Sequence, residues 1–289
     1  MERRRTILVT GATGLLGGHV VTEAERRREQ TVAVGGPRRG HSGIDLADTA
    51  AVQALFERVR PDVVLHAAAL SAMADCARDP ELATRINVGG TASVARAARA
   101  TGARLVHVST DLVFDGEHAP YAEEAPTAPT SAYGRTKRDA ELAALEAPGA
   151  VVVRVSLLFG PTLTARKGFF DAQLEALRNA TQMSLFVDEW RTPLSLRAAA
   201  EGLLAIGASD IEGTLHFGGP ERMSRHEMGT RLARVIGVTG TTIIAASRTS
   251  VPTAEPRPRD VALDSSRLRQ LLPSIAVESF EEECRRMLA

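Results

Sequence analysis

Lysine, tyrosine, tryptophan and cysteine are nearly missing from this chain of 289 residues, which holds two lysines, two tyrosines, one tryptophan and two cysteines. Net charge is missing altogether, since 35 basic side chains balance 35 acidic ones. A neutral surface exerts no long-range pull on phosphate backbones or anionic lipid, so nucleic acid is not expected as a partner. Cys76 and Cys284 are too few for a disulfide framework and match no metal-ligand spacing; they are expected as reduced thiols, with no metal. No stretch approaches the ~18 uninterrupted apolar residues of a membrane helix, so no membrane partner is expected either. Arg3-Arg4-Arg5 before Thr6-Ile7-Leu8-Val9 imitates an export signal, but Gly11, Gly14, Gly17, Gly18 and His19 break the apolar run and a charged stretch follows. The protein is expected in the cytoplasm.

What is present is enough apolar residue, 44% of the chain, to bury a sizeable core in one or two domains. The first half alternates short apolar runs with longer helical ones, the rhythm of an α/β fold with a parallel sheet wrapped by helices. Strands are predicted at 7–9, 31–34, 63–66, 104–108 and 151–155, with a short extended piece near 44–46. Helices are predicted at 15–29, 50–59, 81–100 and 132–145. Beyond about Ser156 the rhythm changes: helices at 169–178, 196–206 and 225–236 alternate with loops, 214–217 can return to the sheet, and three prolines keep 250–260 extended. This predicts a nucleotide-binding domain over 1–155 and a smaller lobe over 156–289, interleaved by a return to the sheet near 213–218.

The turn from the first strand into the first helix reads Thr10-Gly11-Ala12-Thr13-Gly14-Leu15-Leu16-Gly17. Gly11 permits the tight turn, Gly14 a close approach of the backbone to a pyrophosphate, and Gly17 close packing of helix on sheet, in the strand-to-helix context of a dinucleotide site. After the second strand an NAD-preferring site places a carboxylate for the ribose. Here the chain reads Val34-Gly35-Gly36-Pro37-Arg38-Arg39, two guanidiniums suited to a 2′-phosphate, so NADPH is expected to bind more tightly than NADH.

Scarcity makes a second motif informative. With two tyrosines and two lysines, a chance Tyr-x-x-x-Lys has odds of about one in seventy, and Tyr133-Gly134-Arg135-Thr136-Lys137 is one. The spacing puts both side chains on one helix face. There the ammonium is expected to lower the phenol pKa, letting Tyr133 donate a proton to a developing alkoxide, and to hold the nicotinamide ribose. Thr110, where the fifth predicted extended segment ends, is the candidate to orient a substrate carbonyl; Thr110 and Asp111 also suit a turn or a helix cap. Arg257 and Arg259, flanking Pro258 in a stiff loop, suit a diphosphate, with Arg191 as a further candidate and Trp190 available to stack on a base. Surface pairing of Arg257 and Arg259 with Glu255 and Asp260 is the competing reading.

Taken with His66-Ala67-Ala68-Ala69, Asn87 and Ser109-Thr110-Asp111-Leu112-Val113-Phe114-Asp115-Gly116, these motifs resemble the extended short-chain dehydrogenase/reductases. Pro120-Tyr121, Arg154-Val155-Ser156, Gly213-Thr214-Leu215-His216 and Arg257-Pro258-Arg259 extend the likeness over nearly the whole chain, toward the dTDP-4-dehydrorhamnose reductase family. The resemblance implies a Rossmann-type doubly wound parallel sheet with a smaller C-terminal substrate lobe, in which hydride passes from NADPH to a nucleotide-linked 4-keto sugar. It implies Tyr133 as proton donor, Lys137 as its tuner and ribose ligand, and Thr110 and Asp111 at the substrate. It puts Thr13 to Leu16, Arg38, Arg39, Asp45, Leu46, Ala67, Ala68 and Ala69 at the cofactor.

Leu112 and Leu157 stand where the family's reductases often carry tyrosine and tryptophan, both near the sugar. The regulatory β subunits of methionine adenosyltransferase are also similar along the whole length, sharing that second leucine and the paired arginines. The resemblance thus carries two readings, a reductase and a NADP-binding regulatory subunit without catalysis of its own; an epimerase or dehydratase is a third. A homodimer is expected through a four-helix bundle of 81–100 and 132–145, for which Ala140, Ala143 and Ala144 permit close approach, unless these alanines pack on the sheet.

Overall fold

The computed structural model describes residues 4–36, 43–164, 167–239 and 243–289. Strands β1 (Thr6–Thr10), β2 (Gln30–Val34), β3 (Val63–His66), β4 (Arg104–Thr110), β5 (Val151–Val155) and β6 (Gly213–Phe217) form one sheet in the order β2-β1-β3-β4-β5-β6. Every pairing in it is parallel, and the register sets Thr10 beside His66, His66 beside His107, and Thr110 beside Val155, so the carboxyl ends lie along one edge. The extended piece expected near 44–46 joins no ladder; the Ile44 N–H meets the Gly35 carbonyl at 3.3 Å and the chain turns toward the next helix.

The helices are α1 (Leu15–Arg26), α2 (Thr49–Val59), α3 (Met73–Arg78), α4 (Pro80–Thr84), α5 (Gly90–Thr101), α6 (Ala132–Leu145), α7 (Phe169–Arg178), α8 (Leu196–Gly207), α9 (Arg225–Val235), α10 (Ser266–Leu271) and α11 (Phe280–Leu288). Local chemistry sets their ends: Asp48 and Ser131 accept from the Ala51 and Gly134 N–H groups to cap α2 and α6, and Gly102 closes α5 in the left-handed region at φ +72°. The single helix expected over 81–100 is α4, a π turn at Arg85–Gly89 and α5. Asn87 in that turn accepts from the Leu70 N–H at 2.7 Å and donates to Thr136 Oγ1 at 2.9 Å, tying the loop after β3 to α6. π turns recur at functional sites.

Strand residues alternate between two cores, which is why the strand runs are apolar throughout. Ile7, Val9, Val63, Leu65, Val106, Val151 and Val153 face α1 and α8, whereas Leu8, Val64, Leu105 and Val152 face α2, α5 and the last turn of α6. Ala140 and Ala144 are fully buried within this chain, Ala144 among Leu105 and Val152, so they pack inward. A third cluster, with Phe159, Phe170, Met228, Leu232 and Phe280, joins α7, α9 and α11. Both cysteines are free and buried. No helix among the described residues is long and apolar enough to cross a membrane.

Three buried histidines make an acid-sensitive core. Burial, the largest cause, lowers His66 to about 3 with Lys137 adding to it, lowers His216 to about 4 with Arg154 adding to it, and lowers His107 well below its ordinary value. The unfolded chain takes up these protons near pH 6.5 and the folded chain does not, so stability present above about pH 6.5 is lost as pH falls toward the folded values. The His216 shift alone corresponds to on the order of 3 kcal/mol by about pH 4. Urea unfolding midpoints should therefore drop between about pH 7 and about pH 5; a flat profile would contradict neutral burial of these rings.

Candidate active site

The chain leaves β1 for β2 on one side and reaches β3 on the other, so the sheet changes direction between β1 and β3; parallel α/β sheets bind ligands in the crevice at that point. A cleft of about 760 Å³ opens there. Its floor is the glycine turn. Gly11 sits at φ +73°, and a Cβ on it would lie 2.7 Å from the Ala68 nitrogen; a Cβ on Gly17 would lie 2.1 Å from the Gly11 carbonyl oxygen. Gly14 caps α1 without a side chain, leaving the helix N-terminus bare toward the cleft. Thr10 Oγ1 and His66 Nδ1, both buried, meet at 2.7 Å and pin β1 to β3.

The carboxyl end of β4 supplies the chemistry. Thr110 is buried, caps the turn at Asp111–Val113 by accepting from the Leu112 N–H, donates to Asp111 Oδ1 at 3.3 Å, and lies beside the Tyr133 phenol. The cap and the contact with the phenol therefore coexist at one hydroxyl. Close approach of α6 depends on Gly134, where a Cβ would lie 2.2 Å from the Leu112 carbonyl oxygen. Lys137, one turn on, donates to the Val108 carbonyl at 2.7 Å and meets His107 Nε2 at 3.0 Å.

The expectation that Lys137 lowers the phenol pKa is corrected. Burial, then Asp111 and Cys76, push Tyr133 above its ordinary value, and the Thr110 hydroxyl opposes them. The reason is where the ammonium's hydrogen bonds go: to β4 rather than to the phenol. Burial also pushes Lys137 itself down to about 8, against the pull of Glu141.

At the other end of the cleft lies an ion cluster. Asp111 is pushed up by burial, against Arg191, whose Nε lies 3.5 Å away, and Ser156, which donates at 3.0 Å. Glu189 is buried, which pushes it up, but Arg191, Arg225 and Arg257 at 3.5, 3.2 and 3.4 Å hold it below its ordinary value. Three guanidiniums against two carboxylates leave one positive charge in excess.

Of the residues predicted for the site, Gly11, Thr13, Gly14, Leu15, Leu16, Gly17, Asp45, Leu46, Ala67, Ala68 and Ala69 line the cleft on the cofactor side. Thr110, Asp111, Tyr133, Lys137, Arg191 and Arg257 line it toward the ion cluster. Arg38 and Arg39 lie outside the described residues. Arg259 is corrected: its carbonyl accepts from the Trp190 N–H, and its side chain is exposed and lines no part of the cleft. Trp190 is covered by the Arg222 guanidinium, 4.2 Å from its ring, rather than free to stack on a base. The competing surface pairs do not form as proposed, since Glu255 accepts from Ala132 N–H and Arg135 and Asp260 pairs with Arg222. Sequence reasoning missed Glu189 and Arg225, which follow no motif; an acidic residue beside Trp190-Arg191 was their sole signal.

A parallel sheet with a glycine turn at its switch point and a Tyr-x-x-x-Lys helix against the end of β4 defines an extended short-chain dehydrogenase/reductase. Within that class the chain belongs to the family described as the RmlD substrate binding domain, whose model matches residues 5–289. It is 35% identical over 274 residues to a dTDP-4-dehydrorhamnose reductase of Streptomyces griseus, covering 90% of this chain and 86% of that one. It is 32% identical over 277 residues to methionine adenosyltransferase 2 subunit beta of Mus musculus, covering 92% and 82%. The crystal structure of a dTDP-4-dehydrorhamnose reductase from Clostridium acetobutylicum superposes with a TM-score of 0.88 at 25% identity, covering 98% of each chain.

Proposed function

We propose that this protein is an NADPH-dependent reductase of a nucleotide-linked 4-keto sugar, working in the cytoplasm. The observation that carries the reading is the meeting of Thr110, Tyr133 and Lys137 in one cleft, between a bare glycine-turn helix N-terminus and an arginine cluster. The close contacts at Gly11 and Gly17 suit a pyrophosphate, since side chains there would fill the cradle. When bound, NADPH supplies the hydride. Gly11 to Gly17 and the free α1 N–H groups would hold its pyrophosphate, Arg38 and Arg39 its 2′-phosphate, and Asp45, Leu46 and Ala67 to Ala69 would line its adenosine and ribose.

Thr110 orients the sugar carbonyl, and Tyr133, kept protonated by burial, delivers its proton to the developing alkoxide. Lys137 holds the ribose. Asp111 takes a sugar hydroxyl, while Arg191, Arg225 and Arg257 present their excess charge to the diphosphate. A homodimer through the outer face of α6, where Leu142 and Leu145 stand exposed, belongs to the same proposal and is read by sedimentation.

Mixing the protein with NADPH and a dTDP-linked 4-keto-6-deoxysugar should consume one NADPH per sugar reduced. In calorimetric titrations NADPH should bind more tightly than NADH, dTDP should bind the NADPH complex, and Arg257→Ala should weaken dTDP roughly tenfold, as loss of one charge-assisted contact does. Binding of NADPH without binding of any nucleoside diphosphate at millimolar concentration would instead favour the regulatory-subunit reading, in line with the likeness to the mouse methionine adenosyltransferase 2 subunit beta.

A further inference from the structure

His107, on β4 directly behind the Tyr133–Lys137 helix, departs from what a core histidine needs. His66, its neighbour at 5.1 Å between ring centroids, has both ring nitrogens satisfied, Nδ1 by Thr10 and Nε2 by Thr91. His107 is fully buried, yet its Nδ1 has no hydrogen-bond partner among the described residues. Its Nε2 faces Lys137 Nζ at 3.0 Å. A lysine ammonium carries donors alone, so Nε2 must be the bare nitrogen and the ring proton must sit on Nδ1, where nothing accepts it. A buried unpaired donor is costly, and an apolar ring of similar size would avoid it. The arrangement serves the lysine.

We propose that His107, held as the neutral Nδ1–H tautomer, is a positioning residue for Lys137: with the Val108 carbonyl it takes two of the three ammonium N–H bonds and leaves the third for the cleft. Other groups around the ammonium do not perform this task. Glu141, one turn along α6, is bound through both oxygens to Arg154 and also accepts from Ser109. His66 is held by its two threonines, Tyr133 faces Thr110, and Asp111 faces Arg191 and Ser156. Cys76 donates to the Leu70 carbonyl. Two acceptors, one a ring nitrogen and one a backbone carbonyl, offset part of the cost of burying the ammonium and add to the longer-range pull of Glu141. The use made of the third N–H, holding the ribose beside the proton donor, rests on the reductase reading. The hydrogen bond itself does not.

The scarcity of lysine makes the test direct. Protein labelled with carbon-13 at lysine Cε gives two resonances, assigned with Lys167→Arg, and the Lys137 resonance should titrate near 8. His107→Leu removes an acceptor from the charged form, so the midpoint should fall by about one pH unit, and His107→Gln, whose amide oxygen accepts, should restore most of it. The alkaline limb of kcat should move down with it while KM for the nucleotide sugar holds. Long-range proton–nitrogen spectra of the wild-type chain should show the His107 proton on Nδ1, which decides the matter even where a His107 variant does not fold. A proton on Nε2, or an unmoved Lys137 midpoint in folded His107→Leu, would overturn the proposal. A chain that reduces no keto sugar but shows the tautomer and the shift would sink the reductase reading and leave the positioning role standing.

Discussion

Tyr133→Phe is expected to fold, to bind NADPH as the wild type does, and to turn over at least about a hundredfold more slowly, the usual contribution of a positioned general acid. The substitution deletes one oxygen from a half-buried ring that lines the cleft beside Thr110, so it removes the proposed donor while the ring that packs α6 stays in place. A phenol held above its ordinary pKa stays protonated throughout the working range, which suits a group that gives its proton once charge builds on the substrate oxygen. The other acidic hydrogens nearby are poor substitutes. Cys76 is pushed up to about 11 by burial and donates to a backbone carbonyl, and the Thr110 hydroxyl already donates to Asp111. Steady-state kinetics on the keto sugar, with NADPH binding followed separately by fluorescence, separate chemistry from binding. A Phe variant that turns over like the wild type would remove Tyr133 from the role of donor.

Much of this site was legible in the sequence because its parts are local. Glycines at fixed offsets after an apolar run, and a tyrosine and lysine one helical turn apart, state their geometry within a few residues. The strands were legible for the same reason: Val151-Val152-Val153 is apolar on both faces because both faces are covered. What failed to show was non-local. Glu189 gathers guanidiniums from three separate segments, at 191, 225 and 257, and no spacing rule relates them. The π turn at Arg85–Gly89 lies inside a helical pattern that periodicity reads as continuous, and it is set by tertiary bonds from Asn87 to Leu70 and Thr136. Arg257 and Arg259 looked equivalent on a stiff loop, but the Trp190 N–H takes the Arg259 carbonyl and leaves that side chain outside. The lysine's effect on the tyrosine was misjudged because spacing places two side chains on one face without saying which acceptors lie closer.

Removing Glu141 is expected to destabilise the fold by about 3 to 5 kcal/mol, the range for an ion pair broken inside a protein. Its carboxylate binds Arg154 through both oxygens, at 3.0 and 2.8 Å, and accepts from Ser109 at 2.5 Å, with both charged side chains less than a tenth exposed. Arg154 also donates toward the Glu123 carbonyl and His216, and its guanidinium lies 5.2 Å from the Phe114 ring centroid. In Glu141→Ala that guanidinium stays buried, with carbonyl and ring contacts but no counter-charge, so nearly the whole desolvation cost returns. Thermal unfolding should drop by about 10 °C for a chain of this size. Replacing both partners by apolar residues, as in Glu141→Leu with Arg154→Met, should recover much of the loss, because it removes the stranded charge as well as the pair. Glu141 also supports the charge on Lys137 from one turn away, so activity of the Ala variant should fall at a lower pH than that of the wild type. Calorimetry on the single and double variants reads the first effect and a pH–rate profile the second. A single variant within about 1 kcal/mol of the wild type would mean that Arg154 finds another anion or water, and that the pair between α6 and β5 adds little to stability.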